Sequence, residues 1–152
     1  MRLIIIGCEY TGKTTLAAGI HSWLERTMGA CTTSFHDHFL PWDPSHAGPK
    51  GERVEDDLKL LSLEEPSIVE KYNRYVVHYH THPSFYDLPD HCVVGWYYAD
   101  AVYAPLYYGY GGPGQVGDRQ VMARSYDAMV SQLAPDTVLV YLTAEAEVIR
   151  QR

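Results

Sequence analysis

Gly7-Cys8-Glu9-Tyr10-Thr11-Gly12-Lys13-Thr14 follows the pattern G-x-x-x-x-G-K-[ST], a spacing that serves phosphate chemistry. The glycines let the backbone wrap closely around phosphate oxygens. Free N–H groups at a helix start just beyond favour the negative charge. In such a loop Lys13 reaches the β- and γ-phosphates of ATP, and the Thr14 hydroxyl sits on Mg2+. The nucleotide-binding set is Gly7, Glu9, Tyr10, Thr11, Gly12, Lys13, Thr14 and Thr15, with Thr14 on the metal side. The bland alternative is a fortuitous glycine turn.

The flanking residues argue against that alternative, because the motif needs a strand before it and a helix after it. Residues 2–6 form a short apolar run of the kind buried on both faces of a parallel sheet. From Lys13 the spacing of Leu16, Ile20, Trp23 and Leu24 predicts a helix with an apolar stripe, stopped by Gly29. Thr32 to Phe35 reads as a second strand, and residues 36–52 as a polar, Pro- and Gly-rich connection suited to binding. Val54, Leu58 and Leu61 mark one following helix. A second opens near Pro66, with Ile68, Tyr72, Tyr75, Val76 and Tyr79 as its stripe.

Cys92-Val93-Val94 is a third strand, and Ala99 to Tyr108 reads as helical, strained at Pro105. After a Gly-rich loop at 109–117, the positions Val121, Met122, Ser125, Tyr126, Met129, Val130 and Leu133 make one helix face. Val138 to Leu142 is a fourth strand, with a last helix from about Ala144. Strands alternating with helices predict an α/β fold around a parallel sheet, in one domain.

Composition narrows the partners. A formal net charge of −7 argues against broad nucleic-acid or anionic-membrane binding, though not against a nucleotide held by one loop. Cys8, Cys31 and Cys92 are too scattered for a disulfide framework or a Cys zinc site, and read as reduced thiols of a cytoplasmic protein. No apolar run is long enough to span a bilayer. His36 and His38 flank Asp37, while His78, His80 and His82 alternate; a two-residue spacing on a helix does not face one side, so the ordinary reading is helix-end histidines rather than metal ligands.

Among nucleotide-loop proteins, a GTPase would need Asp-x-x-Gly after strand three and a later Asn-Lys-x-Asp, and a motor ATPase a strand-ending acid. The sequence has Val93-Val94-Gly95 there, which leaves the small kinases. The run Gly7 to Ala17 resembles the start of thymidylate kinases and the related deoxynucleoside kinases. Asn73-Arg74 resembles the pair by which thymidylate kinases hold the acceptor's phosphate. Asp100 and Tyr103 stand where that family places residues beside the acceptor base. Asp37 and Trp42 have the five-residue spacing of the base and nucleobase-stacking tryptophan of deoxynucleoside kinases.

The resemblance implies a P-loop NTPase-type three-layer fold with helices on both faces of a parallel sheet. It implies ATP and Mg2+ as cofactors, Lys13, Asp37 and Arg74 as catalytic residues, and Trp42, Arg74, Asp100 and Tyr103 around a nucleotide or nucleoside acceptor. It is compatible with a homodimer. Two departures stand out. Gly95-Trp96 replaces the family's acid–Arg pair, leaving Arg119 and Arg124 as candidate substitutes, and Pro135 to Arg152 resembles only the approach to a kinase lid, as though lid and last strand were missing. A non-nucleotide acceptor, or a non-catalytic nucleotide-binding module, are the alternatives. The tyrosines crowded at 97–110 read equally as a packing layer or as an aromatic acceptor pocket.

Overall fold

The computed structural model describes residues 1–29, 34–37, 70–71, 74–75, 77–78, 81–87 and 90–152. Four parallel strands, β1 (Arg2–Gly7), β2 (Ser34–Asp37), β3 (His91–Val94) and β4 (Val138–Leu142), lie in the order β2-β3-β1-β4. Ile4 pairs with Val93 on one side and Leu139 on the other, so β1 is central. The described part of the second strand is Ser34–Asp37, which overlaps the β-forming run Thr32–Phe35 at Ser34 and Phe35, while Thr32 and Thr33 lie outside the described residues; Asp37 stands opposite Val94.

Alternation along β1 and β3 sends side chains to two separate cores. Leu3, Ile5, Cys92 and Val94 meet Ala17, Leu16 and Ile20 of α1 (Lys13–Met28). Ile4 and Val93 meet the other face, where Trp96 and Tyr97 of α2 (Trp96–Tyr103) and Val130 of α3 (Arg119–Leu133) pack. Helices therefore cover both faces of the sheet, the α/β arrangement expected. Each fully buried aliphatic side chain, such as Ile5 or Val93, contributes about 1.5–3 kcal/mol.

Gly29 ends α1 in the left-handed conformation at φ 61°, as its position implies. Trp23 departs from the expected stripe: it is 48% exposed. At i+7 from Leu16 it sits at the margin of the buried face, which runs through Ala17 and Leu24. The face of α3 is also rotated from the apolar pattern. Val121 and Met129 are exposed, whereas Arg119, Ala123, Tyr126, Val130 and Ala134 face inward. That spacing of four, three, four and four was hidden because its first member is a charged residue. Asp118 caps this helix, accepting from Gln120 N at 3.0 Å and Val121 N at 3.1 Å.

Helical structure also runs through the described positions of 70–78. Tyr75, expected inside, is 76% exposed, and Val77 is buried instead. Glu70 and Val77 are seven residues apart and share the inward face, which turns Tyr75 to water. The remaining members of that stripe, and the helix of Val54, Leu58 and Leu61, lie outside the described residues.

The helix after β3 starts earlier than expected, at Trp96, and Ala104–Tyr108 is a π turn. Pro105 lacks the N–H that an α turn requires, and a widened turn accommodates it. Trp96 itself adopts φ 51°, a conformation costing a non-glycine residue about 1–3 kcal/mol. The indole holds it there, almost fully buried, with Nε1 donating to Val77 O at 3.5 Å.

At the end of β1 the sheet leaves no room for a side chain. A Cβ on Gly7 would lie 2.5 Å from Leu142 O and 2.9 Å from Thr11 Oγ1. Gly7→Ala is expected to lower stability by about 1–3 kcal/mol, read as a lower urea midpoint at unchanged slope. An unchanged midpoint would show that β4 yields to the methyl group without cost.

Candidate functional site

The connectivity decides where a cleft can form. The helix following β1 lies on one face of the sheet, and the helix following its neighbour β3 lies on the other. The chain therefore diverges at the carboxyl ends of these adjacent strands, the place where open α/β sheets bind ligands. A cavity of about 1210 Å3 opens there. Glu9 to Leu16, Trp23, Val94, Gly95, Ala99, Tyr103, Tyr107, Tyr108 and Arg152 are among its lining residues.

The loop between β1 and α1 forms its floor. Gly12 adopts φ 96°, and this cap residue supplies no side-chain hydrogen bond to the helix start, nor does an acid stand in the first turn. A helix start so built favours an anion supplied from outside the helix. Lys13 folds back over the loop, its Nζ donating to Gly7 O at 3.0 Å and Cys8 O at 2.9 Å, with Glu9 Oε1 at 3.5 Å. Thr11 Oγ1 ties the loop by donating to Cys8 O at 2.7 Å. The ammonium is thus held beside the helix start, where it can exchange carbonyl partners for an anion. The donor set suits a phosphate chain, and Thr14 lines the same floor at the helix start.

A second cation comes from the far end of the chain. Arg152 Nη1 donates to Tyr10 O at 3.1 Å, which brings its guanidinium to the rim of the cleft. Among the described lining residues two cations, Lys13 and Arg152, stand against one acid, Glu9, in a chain of net charge −7. The only sequence signal for Arg152 was its place at the end of the last helix. Its contact spans 142 residues.

Of the residues expected around an acceptor, Tyr103 lines the cleft and Trp42 lies outside the described residues. Asp37 ends β2 at the same sheet edge, opposite the cleft-lining Val94. Arg74 and Asp100 do not line the cleft. They belong to a separate charged cluster centred on Arg119, whose side chain is 1% exposed. Arg119 Nη2 donates to Glu70 Oε1 at 2.9 Å, Nη1 contacts Met122 Sδ at 2.9 Å, and the guanidinium lies 5.2 Å from the Tyr110 ring centroid. Its Nε is 3.0 Å from Asp100 Oδ2, an ion pair whose N–H does not point at the oxygen. Arg74 Nε donates to the same Glu70 oxygen at 3.0 Å.

Arg119 is therefore no substitute for a phosphate-side arginine, since its charge is already matched inside the protein. Arg124 is exposed and does not line the cleft. Nor does the Gly95-Trp96 turn carry charge: Gly95 borders the cleft, while Trp96 packs into the core on the other face of the sheet. Burial pushes the Asp100 carboxyl up to about 6, with Arg119 opposing and Glu70 adding to the rise.

The tyrosines divide between the two roles open to them. Tyr97 and Tyr110 are buried packing residues, whereas Tyr103, Tyr107 and Tyr108 face the cleft. The Tyr103 and Tyr107 rings lie 5.6 Å apart. Burial first, and Glu9 second, raise the Tyr103 and Tyr108 hydroxyls above their usual range, so both remain donors at neutral pH. Among the described residues no His, Cys, Asp and Glu group is arranged to hold a metal ion, and no helix is long and apolar enough to cross a membrane. No protein-family model, curated protein or solved structure matches the chain.

Proposed function

We propose that the chain is a P-loop phosphotransferase of the thymidylate and deoxynucleoside kinase type, moving the γ-phosphate of ATP to a small acceptor. The observation that carries this reading is the conjunction at one strand end. A G-x-x-x-x-G-K-T loop, a helix start without its own cap and a lysine turned over the loop all border one cleft. Its volume of about 1210 Å3 exceeds the ~300–1000 Å3 of a single-ligand pocket, as donor and acceptor together require.

In this mechanism the loop N–H groups and Lys13 hold the phosphate chain of the substrate ATP, while Arg152 adds charge at the rim. Thr14 would hold Mg2+, which would supply charge neutralisation at the phosphates. An acceptor oxygen attacks the γ-phosphorus, the bond from that phosphorus to the β,γ-bridging oxygen breaks, and ADP leaves. If the acceptor is an alcohol, its proton passes to a carboxylate at the sheet edge, the role assigned to Asp37. Catalysis consists mainly of positioning and charge neutralisation, as phosphoryl transfer requires little else.

The direct test is calorimetric titration with ATP–Mg2+ followed by a radiolabelled transfer assay over nucleosides, nucleoside monophosphates and simple alcohols. Saturable binding with ADP production dependent on one acceptor class is the expected result. Binding without any turnover would instead make the chain a nucleotide-binding module.

A further inference from the structure

Among the described residues two that carry side chains adopt positive φ: Trp96 at 51° and Tyr10 at 62°. The buried indole accounts for the first. No such packing holds Tyr10, which is 64% exposed. Tyr10 occupies the third position of a four-residue turn, closed by Thr11 N donating to Cys8 O at 3.4 Å. Glycine or asparagine ordinarily supplies a positive φ there, because the conformation is costly for a residue with a larger side chain. It persists only where the surroundings impose it.

The contact that imposes it spans the chain. Arg152 Nη1 donates to Tyr10 O at 3.1 Å, a charge-assisted hydrogen bond. The same Nη1 would lie 3.7 Å from a Cβ placed on Gly12, so the guanidinium lies against the loop itself. The peptide unit between Tyr10 and Thr11 is thereby held at both ends, its oxygen by Arg152 and its N–H by Cys8 O. Cys8 O also accepts from Lys13 Nζ at 2.9 Å, which links the orientation of this peptide to the placement of the lysine. A free carbonyl oxygen in such a loop would repel an arriving anion; that of Tyr10 is matched by a cation instead.

We infer that Arg152 is a positioning residue for the phosphate loop, holding the left-handed turn at Tyr10 in its anion-accepting form through the Tyr10 carbonyl. This role goes beyond adding charge at the rim. A cation that only meets the ligand acts the same whatever residue stands at position 10. A latch matters only while that residue is strained, and glycine would remove the strain. The purpose of the latch rests on the phosphotransferase reading, whereas its existence does not.

Four forms of the chain decide the matter: the parent, Arg152→Gln, Tyr10→Gly and the double variant. Tyr10 and Arg152 are both exposed, so the fold should survive each change. Each form is titrated with inorganic pyrophosphate by calorimetry. Arg152→Gln is expected to weaken binding about tenfold with Tyr10 present, and less than about threefold beside Tyr10→Gly. An equal loss in both backgrounds would overturn the inference and leave Arg152 as a rim charge alone. No loss in either would remove both roles. The second readout needs no ligand. The amide–Hα coupling and backbone carbon shifts of Tyr10, read by nuclear magnetic resonance, should report the left-handed region in the parent and its loss in Arg152→Gln. A left-handed Tyr10 in both defeats the inference. A parent that binds no pyrophosphate defeats the phosphate reading of the loop, while the resonance comparison still judges the latch. Pyrophosphate binding without transfer to any acceptor defeats the phosphotransferase reading and leaves the latch standing.

Discussion

Lys13→Ala is expected to lower ATP-dependent transfer by on the order of 10³-fold, about 4 kcal/mol of lost transition-state stabilisation. The size follows from the placement of the ammonium. It is held over the loop by two carbonyl oxygens at 3.0 and 2.9 Å, and its side chain is only 11% exposed. A cation so confined meets developing phosphate charge with little reorganisation, which is why its removal costs far more than a surface ion pair would. The fold should survive, because water can replace the ammonium at Gly7 O and Cys8 O. The measurement is a pair: kcat/KM in the transfer assay and the urea midpoint of the same preparation. Turnover retained within tenfold would sink the assignment of Lys13, and a collapsed midpoint would show a structural role instead.

The largest stability effect is expected at Arg119. Arg119→Met removes the buried partner of Glu70 and Asp100, and breaking such a pair typically costs about 3–5 kcal/mol because an uncompensated charge is left behind. The methionine fills the volume of the stem, so the loss should trace to charge rather than to a cavity. Two features separate these causes. The triple variant with Glu70→Gln and Asp100→Asn should recover most of the stability, since a neutral cluster of similar shape has nothing left to compensate.

The second feature is pH. Asp100 titrates near 6 in the folded chain, above its ordinary value of 3.8, chiefly through burial. A carboxyl raised on folding contributes stability that is full below its unfolded value and is lost as pH rises through the folded one. Without Arg119 the force opposing that rise is gone, so the deficit of Arg119→Met should be smaller at pH 4 than at pH 8. A deficit independent of pH would indicate packing, not charge.

How far the chain could be read without its structure depends on the range of the interaction concerned. The apolar run of β1, the turn at Gly7, the start of α1 at Lys13 and its stop at Gly29 are all set by neighbours within a few residues, and all stand as the local pattern indicates. The loop geometry is legible for the same reason, since its backbone conformation and Lys13 belong to one short segment. Where a polar residue takes part in the core, the pattern misleads. Arg119 is buried because Glu70 is there to meet it, 49 residues earlier in the chain, and the whole face of α3 turns with it. Tyr75 and Trp23 are apolar by type, yet they are exposed because other positions on their helices fill the core.

What the sequence by itself determined is the glycine-bounded turn between β1 and α1, the alternation of the described strands and helices and the parallel α/β class, because each rests on periodicity and turn geometry. Only the tertiary structure decided the rest. It placed β1 between β3 and β4, sent α1 and α2 to opposite faces, and so opened the cleft at the end of β1. It also brought Arg152 to Tyr10 across 142 residues and withdrew Arg74 and Asp100 into a neutral cluster. Whether a charge is available to a ligand depends on which opposite charge lies within about 4 Å of it, and no spacing along the chain encodes that distance.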